Sequence, residues 1–134
     1  MIADAAGFFD KAHKLLREAD VMLHAGLNDA AGRNAYLASF HAAQALILVR
    51  EGKTHKTHNG VQTEFLRITK DDDRVGDDMR RFLSRSYNLK AIADYETGPG
   101  SEIDPERARE AVAMSKALRG SFGMGRGSQN RVRA

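Results

Sequence analysis

The chain has 134 residues, 42% of them hydrophobic and 29% charged, a composition typical of one globular domain with a single core. It contains no cysteine, which excludes disulfides and thiolate metal ligands and favours a cytoplasmic location. The start of the chain lacks a basic segment followed by an apolar run. No apolar stretch approaches the roughly 20 residues that a membrane span needs. We therefore expect neither a signal peptide nor a membrane anchor.

The net charge of +3 is not spread evenly over the chain. All 18 acidic residues lie in 1–120 with 18 of the 21 basic ones, and the other three, Arg126, Arg131 and Arg133, lie in 121–134. Residues 1–120 are therefore electrically neutral, which argues against the domain-wide basic surface that holds nucleic-acid backbones. We predict a helical domain over 1–120 and a disordered Gly-, Ser- and Arg-rich tail over 121–134.

Apolar residues recur at three- and four-residue spacing, and no segment shows the period of two that strands need, so the pattern predicts an all-α, up-and-down bundle of four to five helices. The predicted helices run about Asp4–Ala25, Asn28–Gly52, Gly60–Thr69, Gly76–Tyr95 and from Pro105 to about Leu118. Asn28 and Asp29 are candidate N-caps of the second helix, and Asp104 before Pro105 is a strong start signal for the fifth.

The second predicted helix is apolar over most of its circumference, which is typical of a helix in the middle of a bundle. One stripe consists of Ala35, Ala38, Ala42, Ala45 and Val49, and a second consists of Tyr36, Phe40 and Ile47. Four other short helices do not easily cover both stripes. We therefore expect a two-fold homodimer.

Two ionisable residues, Arg33 and His41, interrupt this apolar helix. In one interpretation Arg33 pairs with a carboxylate such as Asp94, and His41 is a hydrogen-bonded core or interface histidine. In the other, they line a polar ligand pocket between helices. Lys90 precedes Asp94 by four residues, the weaker orientation of such a pair, so we expect Asp94 to face Arg33 or the basic loop instead.

A short basic loop, Lys53–His58, contains the tripeptide Lys-Thr-His twice. Lys56 and His58 beside the N–H groups of a helix start would suit an anion. His55 and His58 have a weak metal-ligand spacing, with Asp71–Asp73 as conceivable oxygen ligands, but no third ligand has a fixed position. The alternative is a polar loop in which Thr57 or Asn59 caps the third helix. We expect no metal and no cofactor.

Three segments, in this order, resemble the motifs of small prokaryotic HEPN-domain proteins. The first is Gly32–Leu46, with a basic residue, a tyrosine and then Phe-His-Ala-Ala. The second is Lys56–Val61 followed by Phe65, and the third is Tyr87–Tyr95, which ends in Ala-Asp-Tyr. Lys90 stands where the third motif usually has arginine. Together the segments cover about Ala5 to Leu118.

The resemblance implies a four- to five-helix bundle, usually a homodimer, that works with RNA or nucleotides. Many members pair with a small nucleotidyltransferase in a toxin–antitoxin-like unit. If the basic loop and the polar helix form one binding site for a nucleotide or RNA end, its candidate residues are Arg33, His41, Lys56, His58, Asp94 and Tyr95. We expect the cations to hold a phosphate, with Asp94 and Tyr95 orienting them and backbone N–H groups near Asn59–Gly60 assisting.

Ribonuclease members of the family carry an arginine followed, after four to six residues, by a histidine. Arg17 with His24 and Arg50 with His55 fit this spacing, but the composition provides as many matches by chance, and no histidine follows His58. We therefore favour a non-catalytic or weakly catalytic binding module. The alternatives are a metal-independent ribonuclease with His41 or His58 as acid and base, and a purely structural dimeric interaction module.

Overall fold

The computed structural model describes residues 3–95, 97–98 and 102–122. Within these ranges, the regular secondary structure is α-helical throughout. The helices are α1 (Ala3–His24), α2 (Asn28–Glu51), α3 (His58–Thr69), α4 (Asp77–Tyr95) and α5 (Pro105–Ser121). Short connections join them, and the prediction of an all-α bundle is confirmed.

Helix α2 is the central element of the bundle and packs against each of the other four helices. Its small side chains let α1 and α5 approach closely. The Asn34 amide donates to the Leu15 carbonyl of α1 at 3.1 Å, and the hydroxyls of Ser39 and Ser115 join α2 to α5 at 2.8 Å. In the described parts of the chain, no Cα atom of α1 lies within 8 Å of one of α4. Arg33, Leu37, Phe40 and His41 of α2 are partly exposed, and we call this side of α2 its open face.

Both apolar stripes of α2 are largely covered within one chain. The four alanines of the first stripe are buried, as are Tyr36 and Ile47 of the second, whereas Val49 is exposed and Phe40 is partly buried. The premise that four short helices cannot cover both stripes is therefore wrong, because α1 and α5 approach the alanines closely. The homodimer remains a prediction without that support.

The apolar spacing of α1 predicts a core face that includes Phe8, Ala12, Leu15 and Ala19, and the structure buries the two alanines but not Phe8 and Leu15. Phe9 and Leu16 are buried, whereas Phe8 and Leu15 are only partly buried and lie at the edge of the bundle. At both places, two apolar residues are adjacent in the sequence, so the three- and four-residue spacing is compatible with burial of either one. The residues that are buried, Phe9 and Leu16, lie on the same face of α1 as the buried Ala5, Ala12 and Ala19. Phe8 is consequently available at the surface beside α2.

The helix ends follow the predicted chemistry in part. Gly52 ends α2 in the left-handed conformation, with φ of 69°, and the Asp104 carboxylate caps α5 by accepting from the Arg107 N–H at 2.8 Å. The predicted side-chain cap of α2 is wrong, since α2 has no side-chain cap. Asp29 instead accepts from the Ile103 N–H at 2.8 Å and ties the α4–α5 connection to the start of α2.

The C-terminal boundary of the helical region lies beyond the predicted residue 120. Helix α5 continues to Ser121, and the ring of Phe122 is buried against Phe9 and Phe65, with centroids 6.3 and 5.9 Å away. The predicted tail therefore does not begin at residue 121. The remainder of that tail, 123–134, lies outside the described residues.

Candidate functional site

Three rings from three helices form the most closely packed aromatic cluster on the open face. Tyr36 of α2 is buried, and its hydroxyl lies 3.0 Å from Nδ1 of His58, the first residue of α3. The His58 imidazole stacks on Tyr87 of α4, with centroids 4.1 Å apart and an interplanar angle of 23°. Tyr87 is 41% exposed. The cluster therefore presents a ring surface to solvent that is held in place from inside.

Burial favours the neutral forms of Tyr36 and His58. Burial is the main cause that raises the pKa of the Tyr36 hydroxyl, and burial also lowers the pKa of His58. A neutral imidazole carries one N–H and one lone pair. The hydroxyl of Tyr36 engages Nδ1, so Nε2 is the nitrogen left to meet a ligand.

Charged residues continue the cluster along α2 and α4. Asp94 accepts from Nε of Arg33 at 2.8 Å and pairs with Nζ of Lys90 at 2.9 Å. Its pKa is lowered, first by the hydrogen bond from Lys90 and then by Arg33. Lys90 also lies over the ring of Tyr95, 5.2 Å from its centroid. Two cations share one carboxylate, so this group has a net charge of +1.

The predicted contact between Arg33 and Asp94 is present, but the expectation that Asp94 does not pair with Lys90 is wrong. Asp94 pairs with Lys90 as well, because one turn of α4 brings the two within reach. The ion pair is also not buried, since the Arg33 side chain is 43% exposed. Solvent therefore screens the pair, and its free energy is that of a surface interaction.

We expect a double-mutant cycle of Arg33→Ala and Asp94→Ala to give a coupling free energy below about 1 kcal/mol, because exposed pairs are weak. Urea denaturation of the wild type, the two single variants and the double variant measures it. A coupling of about 3 kcal/mol or more would show that the pair is desolvated, in contradiction to its exposure.

His41 lies apart from His58, on the α1 side of α2. The Gln44 amide nitrogen donates to the His55 carbonyl at 2.8 Å, so its oxygen is the acceptor for Nδ1–H of His41, also at 2.8 Å. The neutral ring then has its lone pair on Nε2. Burial is the main cause that lowers the pKa of His41. The ring stacks at 11° on Phe8, 6.1 Å away.

The structure differs from the prediction at the end of the basic loop, while the role of Lys56 in binding an anion stays a prediction. Lys56 is exposed, and α3 begins at His58 rather than Gly60. The Gly60 N–H, expected to face an anion, donates instead to the Thr57 hydroxyl at 3.0 Å. Thr57, one of the two residues predicted to cap the third helix, is therefore the N-cap of α3. The described residues contain no group of three or more potential ligands placed to hold a metal ion.

Among the described residues, no hydrogen bond joins the arginine to the histidine in either match of the ribonuclease spacing. The Arg50 guanidinium donates to the Ile68 carbonyl and to Asp72, at 3.0 and 2.7 Å. His55 lies in the loop, where its carbonyl accepts from Gln44. Arg17 and His24 are both exposed, two turns apart on α1.

The sequence interpretation missed Tyr36, Tyr87 and Lys90 as members of the polar cluster. A signal was present, since Tyr87, Lys90 and Asp94 follow one another at three- and four-residue spacing and so lie on one face of α4. The contact of this face with Tyr36 and His58 depends on how α2, α3 and α4 pack. That packing has no local sequence signal.

The fold and the polar cluster define a small helical-bundle protein with an open face on its second helix. The chain belongs to the HEPN domain family, whose model matches residues 5–121. It is similar to a "UPF0332 protein" of Archaeoglobus fulgidus, with 34% identity over 85 residues that cover 63% of this chain and 66% of that protein. It is also similar to "Putative toxin MJ0605" of Methanocaldococcus jannaschii, with 32% identity over 95 residues that cover 71% of this chain and 70% of that protein.

None of the described helices is long and apolar enough to cross a membrane.

Proposed function

We propose that this HEPN protein is a nucleotide- or RNA-binding module, and that the cluster of Tyr36, His58 and Tyr87 with Arg33 and Lys90 is its primary binding site. The observation that carries the proposal is the stacked pair of His58 and Tyr87 beside two cations that share a single carboxylate.

The chemistry of a nucleotide matches this arrangement. A nucleobase stacks on an exposed aromatic ring regardless of its sequence identity, and Tyr87 offers such a ring. A phosphate needs charge-assisted donors, which Arg33 and Lys90 supply, while Asp94 holds both cations in position. Nε2 of His58 is available as a further polar contact. Few charges take part, so binding weakens with salt only shallowly.

The test is the affinity of the full-length protein for AMP, measured by isothermal titration calorimetry. We expect Tyr87→Leu to weaken binding about tenfold, because one base loses its stacking partner. Arg33→Gln should weaken binding by a similar factor and reduce its salt dependence.

The matched control is Arg81→Gln, which removes an exposed arginine of α4 outside the cluster and should leave the affinity unchanged. A variant that ends at residue 122 separates the cluster from the arginines of the tail. Binding that is unaffected by Tyr87→Leu and Arg33→Gln but is lost in the shortened variant would contradict the proposal. The remaining explanation would be nonspecific binding to the tail.

We also propose a partner protein of the small nucleotidyltransferase class, in a toxin–antitoxin-like pair located in the cytoplasm. The support is the sequence resemblance and the toxin name of the M. jannaschii relative. A nucleotidyltransferase gene beside this one, whose product forms a complex with this chain, would support the pairing. Analytical ultracentrifugation of the chain alone tests the predicted homodimer.

A metal-independent ribonuclease is the second candidate function. The observation that favours it is His41, whose hydrogen bond to Gln44 leaves the lone pair on Nε2, as a general base requires. Cleavage of a single-stranded RNA without added metal, lost in His41→Ala or His58→Ala, would establish this activity. RNA that is bound and stays intact would favour the binding module.

A further inference from the structure

Six rings form an unbroken chain across the open face of α2. Neighbouring centroids along it lie between 4.1 and 6.1 Å apart. We call this chain of rings the aromatic strip. It consists of Phe8 of α1, His41, Phe40 and Tyr36 of α2, His58 of α3 and Tyr87 of α4.

The aromatic strip is accessible because of how the bundle packs. Helix α5 covers the opposite face of α2, where the Ser115 hydroxyl donates to the Ala35 carbonyl at 2.9 Å. Helices α1 and α4 both pack against α2, and their Cα atoms stay more than 8 Å apart in the described part of the chain. Tyr36 is buried and anchors the strip from below, whereas Phe8, Phe40 and His41 are each only partly buried.

The end of the strip formed by Phe8 and His41 lines a surface recess, separate from the Tyr87 end. Lys11 and Thr54 also line this recess, which has a volume of about 450 Å³. That volume lies within the range of small-molecule binding sites. Lys11 is close enough to His41 to contribute to the lowering of its pKa, so a cation stands beside the rings here as well.

The chemistry of the strip favours nucleic acid over a second copy of this chain. Lysine is depleted in the core of protein–protein interfaces, but Lys11 stands beside His41 at one end of the strip and Lys90 beside Tyr87 at the other. Rings flanked by cations are instead the usual arrangement for single-stranded nucleic acids.

We propose that the aromatic strip binds a single-stranded oligonucleotide at two places, one base on Tyr87 and another on Phe8, Phe40 and His41. This inference rests on the proposed function, because it extends the nucleotide site to a second base. The preferred ligand is then an RNA segment of at least two nucleotides rather than a mononucleotide. Lys11 and Arg33, which stand near the two ends of the strip, are the cations for the phosphates that flank the two bases.

The experiment compares two probes on full-length variants, AMP by calorimetry and a fluorescein-labelled hexaadenylate RNA by anisotropy. Phe8→Leu and Phe40→Leu keep apolar bulk but remove a ring. We expect each to weaken hexaadenylate binding about fivefold or more and to leave AMP binding unchanged. The control is Phe82→Leu, the same change on the α4–α5 side of the bundle, which should affect neither affinity. Thermal melts establish that each variant is folded.

Two results would overturn this inference, and both can be told apart from failure of the proposed function. If Phe8→Leu and Phe40→Leu bind hexaadenylate like the wild type while AMP still depends on Tyr87, the second base site does not exist. If these variants instead dissociate a dimer and leave RNA binding intact, the strip is an interface between copies. If Tyr87→Leu changes the affinity for neither AMP nor hexaadenylate, the proposed function itself is contradicted.

Discussion

Phe122→Ala is expected to destabilise the protein by about 3 kcal/mol and to lower its melting temperature by roughly 10 °C. The Phe122 ring is 3% exposed and meets the edges of Phe9 and Phe65, so its removal leaves a cavity between α1, α3 and the end of α5. The Phe122 carbonyl also accepts from Arg74 at 3.4 Å. Thermal and urea unfolding, followed by circular dichroism, measures the loss.

Two truncations provide the control for this prediction. A chain that ends at residue 122 keeps the ring and should melt near the wild-type temperature, since we predict a tail outside the domain. A chain that ends at residue 120 loses the ring and should show a loss similar to that of Phe122→Ala. Equal melting of the two truncations would mean that Phe122 does not pack as described.

The position of Phe122 shows where sequence reasoning about the fold ends. Three- and four-residue spacing predicts which segments are helical, because local periodicity carries that information. Phe122 is a single apolar residue between Gly120 and Gly123, so it is not part of a periodic pattern that could predict its burial. Its burial depends on space between α1 and α3, which only tertiary packing creates.

The same distinction applies to the candidate site. Arg33 and Asp94 could be paired from the sequence, because a charge on an apolar helix calls for a partner. The exposure of that pair could not be predicted, since it depends on the gap between α1 and α4. Phe8 and Phe9 have the same chemistry, so spacing alone does not show which of them is buried. The two residues are distinguished only by the face of α1 on which the buried alanines lie.

The connection between α3 and α4 depends on one carboxylate. Asp72 accepts from Arg50 at 2.7 Å and from three donors of Arg74 at 2.8 to 3.1 Å. Its side chain is 11% exposed. The hydrogen bonds from Arg74, and next those from Arg50, hold the pKa of Asp72 well below its usual range. Asp72 therefore stabilises the fold in its charged form.

Asp72→Asn is expected to cost about 1–2 kcal/mol at pH 7, less than for a fully desolvated pair because solvent reaches both arginines. The folded pKa of Asp72 is below its unfolded value of about 3.9, so its stabilisation is complete above roughly pH 5 and is lost as the pH falls toward the folded pKa. The free energies of unfolding of wild type and Asp72→Asn, from urea titrations between pH 7 and pH 2, should converge at the acid end. Asp73→Asn, at an exposed neighbour, should follow the wild type throughout. A constant difference between wild type and Asp72→Asn across this pH range would mean that Asp72 acts through shape rather than charge.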